Sequence, residues 1–170
     1  RVRSSRGIRV AGYHGHFASN DPQDMDLAGI SSSKTFVVDL KHEGKLDPKS
    51  QAYLQLALLY TTRAGARRVR VHTIRMGVCN THASHFRHAD LEATLIAKLY
   101  HTVHAAVNKG TKAAREELTQ SVLKILIAYR RFCASSSHTG QLLLPEQLKL
   151  LPLYSLCAMK SDALAPGCTA

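Results

Sequence analysis

The sequence predicts an α+β protein of segregated domains: a partial antiparallel β-sandwich followed by an all-α helical domain. Three observations predict it. Up to about residue 80 the apolar residues alternate, which is the period of a half-buried strand. Beyond that point they recur every three to four positions, the period of an amphipathic helix. The balance of 45% apolar and 21% charged residues is that of a globular chain, and a chain of 170 residues buries enough surface to hold a core without staples.

Four or five strands are expected. Ile8–Phe17 is β-rich, and Gly12 and Gly15 within it point to a bulge or a close backbone approach. Lys34–Lys41 sets Phe36, Val38 and Leu40 against Thr35, Asp39 and Lys41, with Val37 breaking the alternation. Tyr53–Thr62 places Leu54, Leu56, Leu58 and Tyr60 on one face. Arg67–Met76 places Val69 and Val71 on one face and Arg68, Arg70 and His72 on the other. The last two runs are joined by Arg63-Ala64-Gly65-Ala66, a Gly-containing connection of hairpin length. Asn20-Asp21-Pro22, Ser31-Ser32-Ser33 and Asp47-Pro48 punctuate loops.

From about His85 the pattern is helical. Leu91, Leu95, Leu99, Val103 and Val107 form an i, i+4 stripe, widened by Ile96 and Tyr100. Asn108-Lys109-Gly110 ends this helix, with Gly where a left-handed residue is tolerated. Thr111 is the expected cap of the next helix, whose buried face is Leu118, Val122, Ile125, Leu126 and Tyr129. Ala134–Gly140 reads as a loop. Pro145 suits the first turn of a third helix, and Pro152 is expected to interrupt it, leaving two short helical pieces.

Lys plus Arg number 23 and Asp plus Glu 12, a formal charge of +11. A basic surface attracts nucleic acid, anionic lipid or acidic peptides, and charge alone does not choose among them. No apolar run approaches the roughly 20 residues a membrane-spanning helix needs. The opening arginines, with no apolar stretch behind them, give no signal-peptide pattern. The chain opens on Arg1 and reads as a piece of something longer. Cys79, Cys133, Cys157 and Cys168 include no C-x₂₋₄-C pair, so no structural zinc site is expected in this piece and reduced, intracellular thiols are the default.

No catalytic constellation emerges. G-x-S-x-G, both glycine-rich phosphate loops and the zinc-hydrolase motif are absent. Asp21, Asp24 and Asp26 share one loop without the glycine of a calcium-binding loop. His82, His85 and His88 on a helix place the outer two roughly 120° apart, which favours a polar helix start over a metal site. His14 and His16 point to one side of a strand with no third ligand evident. Two basic groups stand out. Arg68, Arg70 and His72 project together, either as a site for phosphates or carboxylates or as a solvated sheet face. Arg1, Arg3, Arg6 and Arg9 form the second. Guanidinium groups there can hold a peptide carboxylate, with Ile8 as apolar contact, or simply face solvent.

The residues also carry a family resemblance. Tyr53–Thr73 (YLQLALLYTTRAGARRVRVHT) resembles the signature hairpin of the COPII inner-coat proteins, the Sec twenty-three and Sec twenty-four families. RVRSSRGIRV, GYHGHF, VDLKHEGKL, FCASSSHTGQLLLPEQLKLLPLY and KSDAL are similar, in the same order, to the Sec twenty-four family. The serine-rich loop leading into LLLPE and LLPLY is particularly similar to the subgroup typified by the vertebrate C and D paralogues. The common Gln of the hairpin is Ala66 here.

That resemblance implies that residues 1–80 are the C-terminal part of a β-sandwich domain and 81–160 a helical domain. Residues 161–170 would then start the link to a gelsolin-like domain. It implies a cargo-selecting adaptor of the vesicle coat that buds from the endoplasmic reticulum toward the Golgi. The adaptor is not an enzyme. It binds export signals in the cytoplasmic tails of cargo membrane proteins. Its partners would be a Sec twenty-three-type coat subunit, a Sar-type small GTPase and an acidic membrane surface, at which it is a peripheral cytoplasmic protein of exit sites and coated vesicles. The family binds zinc through a finger with paired cysteines that this piece lacks, so no cofactor is expected here. The family's sandwich also takes strands from elsewhere in the chain, so unpaired strand edges are expected. Carried over to matching positions, the cargo-peptide candidates are Arg3, Ile8 and Arg9, on a strand matching Arg3–Val10.

Two alternatives compete. A Sec twenty-three-type GTPase-activating subunit is disfavoured by LKHEGKL and the LLLPE block. A basic nucleic-acid-binding domain would explain the charge, but Trp is absent, aromatics are few and no recognition motif occurs.

Overall fold

The structure, a computed structural model, describes residues 1–19, 21, 24–138 and 140–165. Asn20, Pro22, Thr139, Cys168 and the last part of the 161–170 link therefore lie outside the described residues. The chain forms two compact units, Arg1–Cys79 and Asn80–Ala170.

In the first unit the strands are β1 (Val2–Ser4), β2 (Ile8–Gly15), β3 (Phe36–His42), β4 (Gln51–Thr61) and β5 (Arg67–Gly77). All pair antiparallel, in a three-stranded sheet of order β1-β4-β5 and a two-stranded sheet of β2 and β3. The expected single strand from Arg3 to Val10 is corrected to two. The chain turns at Gly7, whose φ of 90° is accessible to glycine at little cost. The Ser4 hydroxyl donates to the Ile8 carbonyl at 2.8 Å and closes the corner. A Cβ on Gly7 would also come within 2.5 Å of Leu46 Cδ2. Arg3 and the Ile8–Arg9 pair consequently stand in different sheets.

Both glycines singled out in β2 have a geometric role. The β2–β3 register shifts between Val10 and Gly12, which is the bulge. Gly15 has φ of 145°, and a Cβ there would meet Phe36 Cβ at 3.0 Å, which is the close approach. The β4–β5 hairpin forms as expected. Thr62 N–H donates to the Ala66 carbonyl at 2.9 Å. Ala66 N–H donates in turn to Thr62 Oγ1 at 3.1 Å, with Gly65 at φ 81° between them.

Register decides which side chains share a face, because residues directly opposite point the same way. Tyr60, Leu58, Leu56 and Leu54 stand opposite Arg68, Arg70, His72 and Ile74. The apolar face of β4 and the basic face of β5 are therefore one face, which also holds the buried Val2 and Ala52. The other face carries Gln55, Ala57 and Leu59 opposite Thr73, Val71 and Val69. Leu59, Val69 and Val71 are more than half exposed there. β5 ends the sheet and is exposed on both sides along residues 67–75, an open edge of the kind expected.

The second unit holds α1 (His82–Arg87), α2 (Leu91–Lys109), α3 (Thr111–Cys133) and α4 (Leu151–Met159), with 3₁₀ turns at Glu146–Leu148 and Asp162–Leu164. Leu118 and Val122 of α3 pack with Leu148 and Leu151 as the main core, against Ile125 and Leu126 among others. Full burial of an aliphatic side chain of this size contributes about 1.5–3 kcal/mol. Ala105, Ala114 and Leu164 form a smaller cluster.

Four details depart from expectation. The helical region starts at His82 and breaks at His88 before Asp90 caps α2. On α2 the buried residues are Thr102 and Ala105, whereas Val103 is 51% and Val107 75% exposed. A strict i, i+4 stripe advances about 40° per step at 3.6 residues per turn, so its far end rotates off the buried face. Thr111 is the first residue of α3, not its cap: Gly110, with φ of 87°, holds that position and there is no side-chain cap bond. Pro152 starts α4 instead of interrupting a helix, because a residue in the first turn has no N–H partner to lose.

Candidate functional site

Extended backbone at the start of the chain places Arg1 and Arg3 on one face of the three-stranded sheet. Ala57 N–H donates to the Arg1 carbonyl at 3.0 Å, which continues the β1–β4 pairing by one residue. Arg3 stands opposite Gln55, whose amide donates to Thr73 Oγ1 at 3.3 Å. This is the face of Leu59, Val69 and Val71.

The other candidates lie elsewhere. Ile8 and Arg9 sit in β2, opposite His42 and Lys41. Arg9 Nε lies 3.5 Å from Glu43 Oε1, an exposed ion pair that contributes little stability. Arg68, Arg70 and His72 occupy the face opposite to that of Arg3, and none has an ion-pair partner among the described residues. Residues 48–89 contain no Asp or Glu, so this hairpin has nothing of its own to neutralise it. Arg68, Arg70 and His72 thus share one side of a sheet, whereas the second predicted group is divided: Arg1 and Arg3 stand on the other side of that sheet, Arg6 in the turn, and Arg9 with Ile8 in the second sheet.

One residue pair escaped the sequence reading. Arg1 Nε donates to Asp24 Oδ1 at 2.8 Å and Arg1 Nη2 donates to Asp24 Oδ2 at 2.7 Å. This fork-to-fork geometry is the strong form of guanidinium–carboxylate recognition. Asp21 adds a second carboxylate, with Oδ2 3.7 Å from Nη2. The hydrogen bond from Arg1 is the main cause that holds the Asp24 carboxyl below its ordinary value, and the same bond raises Arg1. The Tyr13 phenol is pushed up, first by burial and then by the charges of Asp24 and Asp21. The loop presenting Asp24 is closed by reciprocal backbone bonds between Ala18 and Asp26, at 2.9 and 2.7 Å. Ser19 Oγ ties it further, to the Asp21 and Asp24 carbonyls at 2.8 and 2.9 Å. The available signal was charge: three aspartates in one loop and four arginines at the start of the chain.

Beside this pair runs a groove of about 440 Å³. Asp24, Met25, Asp26 and Leu27 of the loop form one wall, and Ala57, Leu59 and Val69 of the sheet the other. A guanidinium at one end and aliphatic side chains along the walls suit an extended peptide with an acidic and an apolar residue.

His82, His85 and His88 each make a separate contact. His82 stacks on Phe132 with ring centroids 4.2 Å apart. His85 Nδ1 lies 3.1 Å from the Thr81 carbonyl and His88 Nδ1 2.9 Å from that of Ser84. His14 Nε2 is paired with Asp39 Oδ2 at 2.9 Å. Cys79 follows β5, Cys133 ends α3 and Cys157 lies on α4, all three as free thiols.

Comparison with known proteins gives a consistent result. The Sec23/Sec24 beta-sandwich domain matches residues 1–79 and the Sec23/Sec24 helical domain matches residues 90–169. Human protein transport protein Sec24C is 41% identical over 98% of this chain and 15% of its own length. Protein transport protein SEC24 B of Arabidopsis thaliana is 42% identical over 96% of this chain and 15% of its own length. The chain thus spans about 15% of these curated relatives. The crystal structure of the human COPII-coat protein Sec24c superposes with a TM-score of 0.90 at 38% identity, covering 100% of this chain and 22% of that one. A sheet unit and a helical unit in this order, with matches along nearly the whole chain, have one reading: the chain belongs to the Sec23/Sec24 family, on its Sec24 side.

Proposed function

We propose that this chain is part of a cargo-selecting adaptor of the COPII vesicle coat, a non-catalytic protein that binds export signals in the cytoplasmic tails of membrane proteins. The observation that carries this reading is the superposition, along the whole chain, on a COPII-coat Sec24c. In it, residues 1–80 belong to the β-sandwich domain, 81–160 to the helical domain and 161–170 to a link. The relatives named above are Sec24 proteins, which favours the adaptor over a Sec23-type GTPase-activating subunit. The partners are a Sec23-type subunit, a Sar-type GTPase and an acidic membrane surface, to which a formal charge of +11 adds a nonspecific attraction. No described helix is long and apolar enough to cross a membrane, so association with that surface is peripheral in this reading.

Recognition needs no bond making. A guanidinium pairs with the acidic residue of a signal, an aliphatic wall receives its apolar residue, and many weak contacts add in a multivalent coat. Arg3 is the strongest of the three candidates, being exposed on the face that carries the groove. Ile8 and Arg9 would contribute from β2.

The test is binding of acidic tail peptides to the intact parent protein. Arg3→Ala is expected to weaken binding about tenfold, the scale of a charge-assisted hydrogen bond. Ile8→Ala should weaken it less. Unchanged affinity in both variants would remove these residues from the site.

A further inference from the structure

The carboxylate-binding position on the outer face of the sheet already holds a carboxylate of this chain. Arg1 is exposed enough to meet a ligand, with 40% of its side chain accessible, yet both arms of its guanidinium fork are taken by Asp24. The groove beside the pair remains open. The segment that supplies Asp24 reads Asp24-Met25-Asp26-Leu27, an alternation of acidic and apolar residues. Met25 and Leu27 line the same groove. This chain thus sets an acidic–apolar segment of its own against the guanidinium end of the groove.

We infer that Asp24 is an internal competitor for the Arg1 guanidinium, and that an extended peptide with an acidic and an apolar residue binds by exchanging its carboxylate for that of Asp24 while its apolar side chain enters the groove on Ala57, Leu59 and Val69. The inference deepens the adaptor reading and rests on it. It adds that the site is self-occupied at rest.

Three features carry it. The exchange replaces one forked pair by another of equal chemistry, so the Arg1 guanidinium is not left unpaired. The Asp24 carboxylate is exposed and can leave into water, with 38% of its side chain accessible. The tether makes the competitor strong: a short loop holds its group at an effective concentration in the millimolar range, so a free peptide of the same chemistry competes poorly until the tethered carboxylate is removed. Ala57, Leu59 and Val69 are supplied by β4 and β5 and do not move with the loop, so the sheet wall of the groove outlives the exchange.

The experiment measures a fluorescein-labelled peptide carrying the Asp-Met-Asp-Leu sequence of residues 24–27, bound to the intact parent protein and followed by anisotropy. Asp24→Ala and Asp24→Asn are each expected to raise affinity by about tenfold or more over the unsubstituted chain. Arg1→Ala in the Asp24→Ala background is expected to abolish the gain. Far-ultraviolet circular dichroism checks that each variant keeps its sheet signal, and Asp24→Asn preserves shape if Asp24→Ala does not fold. Equal affinity with and without the Asp24 carboxylate would overturn the competition while leaving a peptide site in place. Absence of peptide binding in every folded variant would overturn the adaptor reading of this face as well. Binding of the Asp24 variants to phosphatidylserine vesicles without binding of the peptide would reassign Arg1 to a lipid surface and also overturn the inference.

Discussion

Arg1 and Asp24 meet through two parallel hydrogen bonds of 2.8 and 2.7 Å although 23 positions separate them. The pair joins the start of the chain to the 18–26 loop, and it forms the basic end of the groove on the outer sheet face. One consequence of the pair can be measured, and the helix ends and the open sheet edge each allow a further test.

The first concerns acid. Asp24 has its folded value below the ordinary 3.8 because Arg1 hydrogen-bonds the charged form. A depressed carboxyl contributes stability that is complete above its unfolded value and disappears as pH falls through the folded one. The loop is therefore expected to stay clasped down to about pH 4 and to loosen only below that. Carboxyl chemical shifts followed by NMR should show Asp24 titrating below the ordinary carboxyl value. In Asp24→Asn this transition should vanish, and an unchanged titration of the loop would separate the clasp from the charge.

The second concerns helix ends. Asp90 Oδ1 accepts from Ala93 N–H at 2.7 Å and caps α2. Asp90→Ala should cost about 1 kcal/mol of stability in thermal or urea unfolding. Thr111→Ala should cost only a few tenths, because Gly110 holds the cap position of α3 and no side-chain bond is lost. Equal losses at the two sites would mean that Thr111 caps in solution.

The third concerns the open edge. β5 ends its sheet, and Arg67, Arg68, Arg70 and Arg75 along it have no ion-pair partners among the described residues. Charges on an edge strand oppose pairing with another copy. Arg68→Thr combined with Arg70→Thr is expected to shift sedimentation toward dimers and larger species at concentrations where the unsubstituted chain is less associated. Raising salt should act in the same direction on the unsubstituted chain by screening the arginines. A variant that sediments like the unsubstituted chain at all salt concentrations would show that the charges do not guard this edge.

What the sequence determined by itself is local. Alternation in 53–62 and 67–76 specifies the hairpin, since period two puts every second side chain on one face whatever lies opposite. Gly12, Gly15 and Gly110 mark a bulge, a close approach and a helix end, because a residue without Cβ flags where the backbone bends or is approached, although the partners of Gly12 and Gly15 lie on β3. The buried face of α3 is legible for the same reason: Leu118 and Val122 repeat at the helix's own period. Tertiary structure alone decided what met across the chain. Register put Arg68 and Arg70 beside Tyr60 and Leu58. The turn at Gly7 sent Arg3 and Arg9 into separate sheets, and the α2 face that packs left Val107 in solvent. Loop closure brought Asp24 to Arg1. Periodicity encodes the direction of a side chain relative to its neighbours in sequence, whereas a partner 23 positions away is chosen by how the folded elements come together.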